Sequence, residues 1–186
     1  MKVTETEIPG LLVIEPKVHG DARGFFVETW QRERYAEIGM PREFVQDNMS
    51  SSGKGVLRGL HLQHPHAQGK LVQVLEGEVF DVAVDVRRGS PWFGQWVGVR
   101  LDGKRRNQFW VPASFAHGYC VLTDMGVFSY KCTDFYHPES ELSVLWNDPA
   151  IGIDWPLDEE PQLSQKDRAG LLLNDIEPGR LPAYES

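Results

Sequence analysis

The stretch LVQVLEGEVFDVAVDVRRGSP, residues 71–91, decides the fold class. Two runs of alternating residues flank Glu76-Gly77-Glu78. Successive side chains on a strand point to opposite faces. Phe80, Val82, Val84 and Val86 therefore share one face, and Val79, Asp81, Ala83 and Asp85 the other. Two such runs around a short glycine-containing connection predict a hairpin. WVGVRLDGKRRNQFWVP, residues 96–112, predicts a second one, with Asp102-Gly103 as its tight-turn dipeptide.

Outward from these runs the pattern stays β. GVFSYKCTDFY (126–136) and LSVLW (142–146) supply further strands. One short helix is expected over about residues 30–38, WQRERYAEI, closed by Gly39. A second is expected near residues 164–172. Many short strands separated by Gly/Pro turns indicate an all-β sandwich or barrel.

Composition narrows the class. At 186 residues, with 41% hydrophobic and 11% aromatic content, the chain fits one packed domain. A net charge of −8 argues against a dedicated nucleic-acid binder. MKVTETEIPG lacks the apolar stretch of a signal peptide, and no run approaches membrane-spanning length. Cys120 and Cys132 form no metal-type spacing. A soluble, reduced, cytoplasmic protein is the expectation.

GVLRGLHLQHPHAQGK, residues 55–70, raises the question of metal through His61, His64 and His66. His61 and His64 are three apart and would point to opposite faces of a strand. Pro65 suggests that the strand has ended before His66. The stretch AQGKLVQVLE that follows places a lysine where a cation would be repelled. For His64 and His66 the expectation is a solvated loop. His61, in the apolar strand VLRGLHL, is either a satisfied core histidine or a base. Arg58 faces away from it under strict alternation, unless Gly59 marks a bulge that re-aims it. Lys70 would add a compact buried charge.

Eight blocks then occur in order: GDARGFFVE, FVQDNMS, GVLRGLHLQ, QGKLVQVLEGEVFDVAVD, SPWFGQWVG, WVPASFAHGY, YKCTDFY and WNDPAIGIDWP. From about residue 5 to 170 the chain resembles the dTDP-4-dehydrorhamnose 3,5-epimerase family. The resemblance implies a cupin-type jelly roll, a homodimer with shared sites, a dTDP-sugar substrate, and catalysis with no metal and no cofactor. Charge and hydropathy add the expectation of no nucleic-acid and no membrane partner. The substrate class is a 4-keto-6-deoxy sugar nucleotide, in which protons on C3 and C5 are acidified by the C4 ketone. Inverting such a centre needs a base, a stabiliser of the enolate oxygen and an acid on the opposite face.

On this resemblance His61 matches the base, Asp167 its carboxylate partner, Lys70 the enolate stabiliser and Tyr130 the acid. Read alone, Ser164-x-x-Asp167 is a helix capping box, and Tyr130 a half-buried strand tyrosine. Arg23 and Arg58 match diphosphate-binding positions, a use suited to the guanidinium fork. Gln46, Asp47 and Asn48 match the segment lining the sugar and nucleotide pocket. Glu28 matches a thymine contact that reaches in from the partner subunit. His117, Glu141 and Lys166 match other substrate contacts, and Tyr136 a position that stacks on the base or closes the site. Asp81 would support the charge network beside Lys70 or His117. Leu62 and Met49 depart from residues common in the family, which bears on pocket shape. The rival readings are an epimerase that inverts one carbon only, a metal-dependent cupin oxygenase and a non-catalytic sugar-binding jelly roll.

Overall fold

The computed structural model describes residues 1–184. In chain order the strands are β1 (Lys2–Glu5), β2 (Leu12–Glu15), β3 (Val18–Asp21), β4 (Gly24–Val27), β5 (Gln46–Gly53), β6 (Leu57–Gln63) and β7 (Lys70–Glu76). They continue with β8 (Glu78–Asp85), β9 (Trp96–Asp102), β10 (Gln108–Val111), β11 (Phe115–Val121), β12 (Met125–Cys132) and β13 (Glu141–Ser143). Six form one sheet in the order β1-β2-β10-β7-β12-β5, and five form a second in the order β13-β6-β11-β8-β9. The expected jelly-roll sandwich is present, with β3 and β4 as a separate ribbon. Both helices form, as α1 (Arg32–Ala36) and α2 (Gln165–Arg168). Gly39, with φ +84°, follows α1 in the conformation that glycine adopts most readily.

Neither expected hairpin forms. β7 pairs with β10 and β12, whereas β8 pairs with β11 and β9 in the other sheet. Only Gly77 separates β7 from β8, too little chain to reverse a ladder, so the backbone turns a corner between sheets. Gly77 has φ +80°, and a Cβ there would lie 2.1 Å from the carbonyl oxygen of Met125. The Asp102-Gly103 turn does form, with the Arg106 amide donating to the Asp102 carbonyl at 2.8 Å. It too delivers the chain from one sheet, at β9, to the other, at β10. The real hairpin joins the inner halves of the two expected ones, β8 with β9.

The faces of β8 carry a second surprise. Phe80, Val82, Val84 and Val86 pack outward, under Leu173, Ile176 and Leu181 of the C-terminal segment. Val79 and Ala83 face the sandwich interior, with Val72, Val74, Phe109 and Phe128. A third cluster, Tyr35, Met40, Leu71 and Trp110, covers the outer side of the six-stranded sheet beneath α1. The central strands are thus buried on both faces, and each buried aliphatic side chain contributes about 1.5–3 kcal/mol. The mixed face of β8, with Asp81, is the one turned toward the interior.

Candidate active site

A cavity of 670 Å³ lies between the sheets. The six-stranded sheet contributes Gln46, Asn48 and Ser50 from β5, Lys70 from β7, and Phe128 and Tyr130 from β12. The five-stranded sheet contributes Arg58 and His61 from β6, His117 and Tyr119 from β11, and Glu141 from β13. Ser164, Lys166 and Asp167 enter from α2 and its cap.

Arg58 and His61 both line the cavity although three residues separate them. The β6–β11 register explains this: His117 pairs with His61, but Tyr119 pairs with Arg58, so β6 carries one extra residue. That is the bulge expected at Gly59, whose φ is +121°. Here β6 and β11 approach closely, and a Cβ on Gly59 would sit 2.6 Å from the Cα of Gly118. Glycine at both positions permits this contact, and the bulge re-aims the arginine.

His61 Nε2 lies 2.6 Å from Asp167 Oδ1. Ser164 Oγ donates to Asp167 Oδ2 at 2.6 Å and accepts from the Asp167 amide at 3.1 Å. The capping reading and the histidine-partner reading of Asp167 therefore hold together. Burial alone would push the Asp167 carboxyl upward, but the bonds from His61 and Ser164 outweigh it and leave the group below the usual carboxylate range. Lys70 has no carboxylate within ion-pair distance among the described residues. Its desolvation pushes the ammonium pKa down, opposed by the charges of Cys132, Asp81 and Glu141. Burial raises the Tyr130 phenol to about 12, aided by neighbouring Cys132. From the cavity wall, His117 Nε2 reaches back to lie 2.9 and 3.0 Å from the two carboxylate oxygens of the fully buried Asp81. At the rim, Glu141 accepts from Lys166 at 2.7 Å and from the Tyr136 hydroxyl at 3.0 Å.

Three expected site residues are elsewhere in this chain. Asp47 faces the opposite side of β5 from Gln46 and Asn48, as alternation requires, and pairs with Lys131 at 3.0 Å. Arg23 sits on the β3–β4 ribbon, bonded to Asp21, with its side chain 90% exposed. Glu28 is paired with Arg34. Conversely, Ser50, Gln68, Tyr119 and Phe128 line the cavity without having been singled out from sequence, and Ser164, read there only as a helix cap, lines it too. Tyr119 was legible, lying two residues beyond His117 on one strand face; its hydroxyl is 2.7 Å from Ser50 Oγ and its ring stacks on Phe128. Leu62 is buried outside the cavity, whereas the largely exposed Met49 reaches its rim. β6 ends at Gln63, before His64 and Pro65, as the proline indicated.

Fold and cavity together define a cupin-type jelly roll equipped for acid–base chemistry between its sheets. The model of the dTDP-4-dehydrorhamnose 3,5-epimerase family matches residues 5–175, and the chain belongs to that family. It is 54% identical to the dTDP-4-dehydrorhamnose 3,5-epimerase of Pseudomonas aeruginosa, over 95% of this chain and 98% of that one. The crystal structure of dTDP-6-deoxy-D-glucose-3,5-epimerase from Legionella pneumophila, in complex with dTDP-4-keto-L-rhamnose, has a TM-score of 0.98 and 59% identity, over 100% and 99% of the two chains. A 3′-monoepimerase from Streptomyces bikiniensis, in complex with dTDP-quinovose, has a TM-score of 0.91 and 37% identity, over 96% and 92%. Among the described residues no helix is long and apolar enough to cross a membrane.

Proposed function

We propose that this enzyme inverts C3 and C5 of dTDP-4-dehydro-6-deoxy-D-glucose, giving dTDP-4-dehydro-L-rhamnose, with His61 as base and Tyr130 as acid. One observation carries the assignment of roles. The His61–Asp167 pair stands on the five-stranded side of the cavity, while Tyr130 and Lys70 stand on the six-stranded side. His61 takes the proton from a carbon beside the ketone, and Asp167 orients the ring and stabilises its cationic form. The C–H electron pair moves toward the C4 oxygen, where the Lys70 ammonium meets the developing charge. Tyr130, still protonated at neutral pH with a pKa of about 12, gives its proton to the opposite face of that carbon. The phenolate is then reprotonated from solvent and the His61 imidazolium releases its proton to solvent, which resets both groups for the second carbon. Arg58 holds the diphosphate, and Gln46, Asn48, His117, Glu141, Lys166 and Tyr136 contact the sugar and nucleotide.

Proton NMR of the keto-sugar nucleotide in deuterated water tests this: deuterium should enter at C3 and C5, with inversion at both. The likeness to a 3′-monoepimerase favours a second reading, inversion at C3 alone, and exchange confined to that carbon would establish it. Activity should survive exhaustive chelation, and loss rescued by a divalent ion would overturn the proton-transfer account.

The same reading makes the working form a homodimer. Arg23 and Glu28 lie outside their own chain's cavity, and the ribbon that precedes Glu28 exposes Val18, Phe25 and Phe26. An apolar exposed arm of this kind suits a partner surface. A fully active monomer in solution would contradict it.

A further inference from the structure

The loop after β6 and the loop after β12 meet beside the mouth of the cavity. His66, Asp134 and His137 there place one ligand atom each within 4.8 Å of one another. The imidazoles of His66 and His137 stack at 4.1 Å, only 18° from parallel. Asp134 Oδ1 accepts from the Phe135 amide at 2.8 Å, while Oδ2 lies 3.8 Å from His66 Nδ1, beyond hydrogen-bond reach. Glu139 Oε1 lies 3.3 Å from His137 Nδ1, a carboxylate placed to orient that imidazole.

The arrangement is built rather than accidental. The buried side chain of Gln63 donates to the carbonyls of His66 at 2.7 Å and Phe135 at 3.1 Å, and accepts from the His137 amide at 2.9 Å. Gln68 donates to the Asp134 carbonyl at 2.9 Å. His66 adopts φ +63°, unusual for a residue with a side chain, and the bond from Gln63 holds its carbonyl there.

We propose that His66, Asp134 and His137 bind one divalent transition-metal ion of borderline softness, outside the catalytic cavity and taking no part in the proton transfers. Two imidazoles and a carboxylate match the donor set of Zn²⁺, with bonds of about 2.0–2.2 Å. Tetrahedral ligands at that distance are roughly 3.4 Å apart, so the two imidazoles must turn out of their stack for their in-plane lone pairs to converge on one ion. The exposed His66 leaves the ion a path in from solvent. A bound ion would cross-link the two loops, and the second carries Tyr136, whose hydroxyl meets Glu141 at the cavity rim.

Calorimetric titration of tag-free, chelator-treated and dialysed protein with zinc chloride tests the site. One saturable site per chain is expected in the wild type, weakened at least tenfold in His66→Asn and in His137→Ala. Asparagine tolerates the left-handed backbone at residue 66, and equal zinc-free melting temperatures show that both variants fold. Absence of saturable binding in the wild type would overturn the proposal, as would equal affinity in both folded variants.

Discussion

Among the described residues two histidine–aspartate pairs are hydrogen-bonded, and they differ in span, exposure and surroundings. His61–Asp167 joins a strand to a helix 106 residues away, and 25% of the histidine side chain is exposed. His117–Asp81 joins two neighbouring strands of one sheet, with 8% of the histidine side chain exposed and none of the aspartate. At Asp167 hydrogen bonds outweigh burial and hold the carboxyl low; at Asp81 burial outweighs the opposing effects of His117 and Lys70 and pushes it up. The same two residue types thus make a partly exposed pair in one place and a nearly buried one near Lys70 in the other. Exposure of the ring and the number of donors around the carboxylate separate the roles.

The widest contrast lies between deleting His61 and deleting Tyr130, which faces it across the cavity. His61→Ala should abolish exchange at both carbons, a fall of about 10³-fold or more if one base serves both. Deuterium uptake followed by NMR would check it, and near-normal exchange at either carbon would move the base elsewhere. Tyr130→Phe keeps the ring packed beside Phe128 while removing the proton donor. Exchange should persist through His61 and Lys70 while inversion falls about 10²-fold, most visibly at C5. Equal loss of both in a folded variant would place Tyr130 in binding or in the abstraction step.

Smaller effects sharpen the difference between the pairs. Asp81→Asn keeps the shape but weakens the bonds to His117, and should cost about 1–3 kcal/mol in denaturant unfolding. An unchanged midpoint would show that the sealed pair is not a structural frame. Asp167→Asn should slow exchange by only about tenfold, because the imidazole remains to accept the proton. It should also change acid stability. The Asp167 carboxyl lies below its ordinary value of 3.8, so its bonds stabilise the fold in full above that pH and are lost as pH falls through the folded-state value. Wild-type melting temperature should therefore drop more steeply than that of the variant between about pH 5 and pH 3. Parallel curves would mean that the carboxyl is not held low.

Much of this architecture could be read from the chain. Alternation marked the strands, Gly39 closed α1, Pro65 marked the end of β6, and Gly59 announced the bulge that brings Arg58 into the cavity. Pairing partners were not readable, because periodicity reports which residues share a face and not which strand lies alongside. That is why 71–86 and 96–111 looked like hairpins and proved to be crossings between sheets. Alternation would have excluded Asp47, since Gln46 and Asn48 already claim the inner face of β5; the resemblance grouped all three. His66 was expected in a solvated loop and is exposed; its nearness to Asp134 and His137, about 70 residues away in the chain, was not readable from spacing.

The dual bonding of Asp167 has a consequence for how the enzyme registers its own proton. One carboxylate oxygen faces His61 and the other accepts from the serine that caps α2. A charge placed on the imidazole draws on the carboxylate that helps to order that short helix. The same carboxylate therefore ties the order of that helix to the position of the ring. Lys166 on that helix holds Glu141 at the rim, so a disturbance at the rim and one at the His61 contact pass through the same short segment.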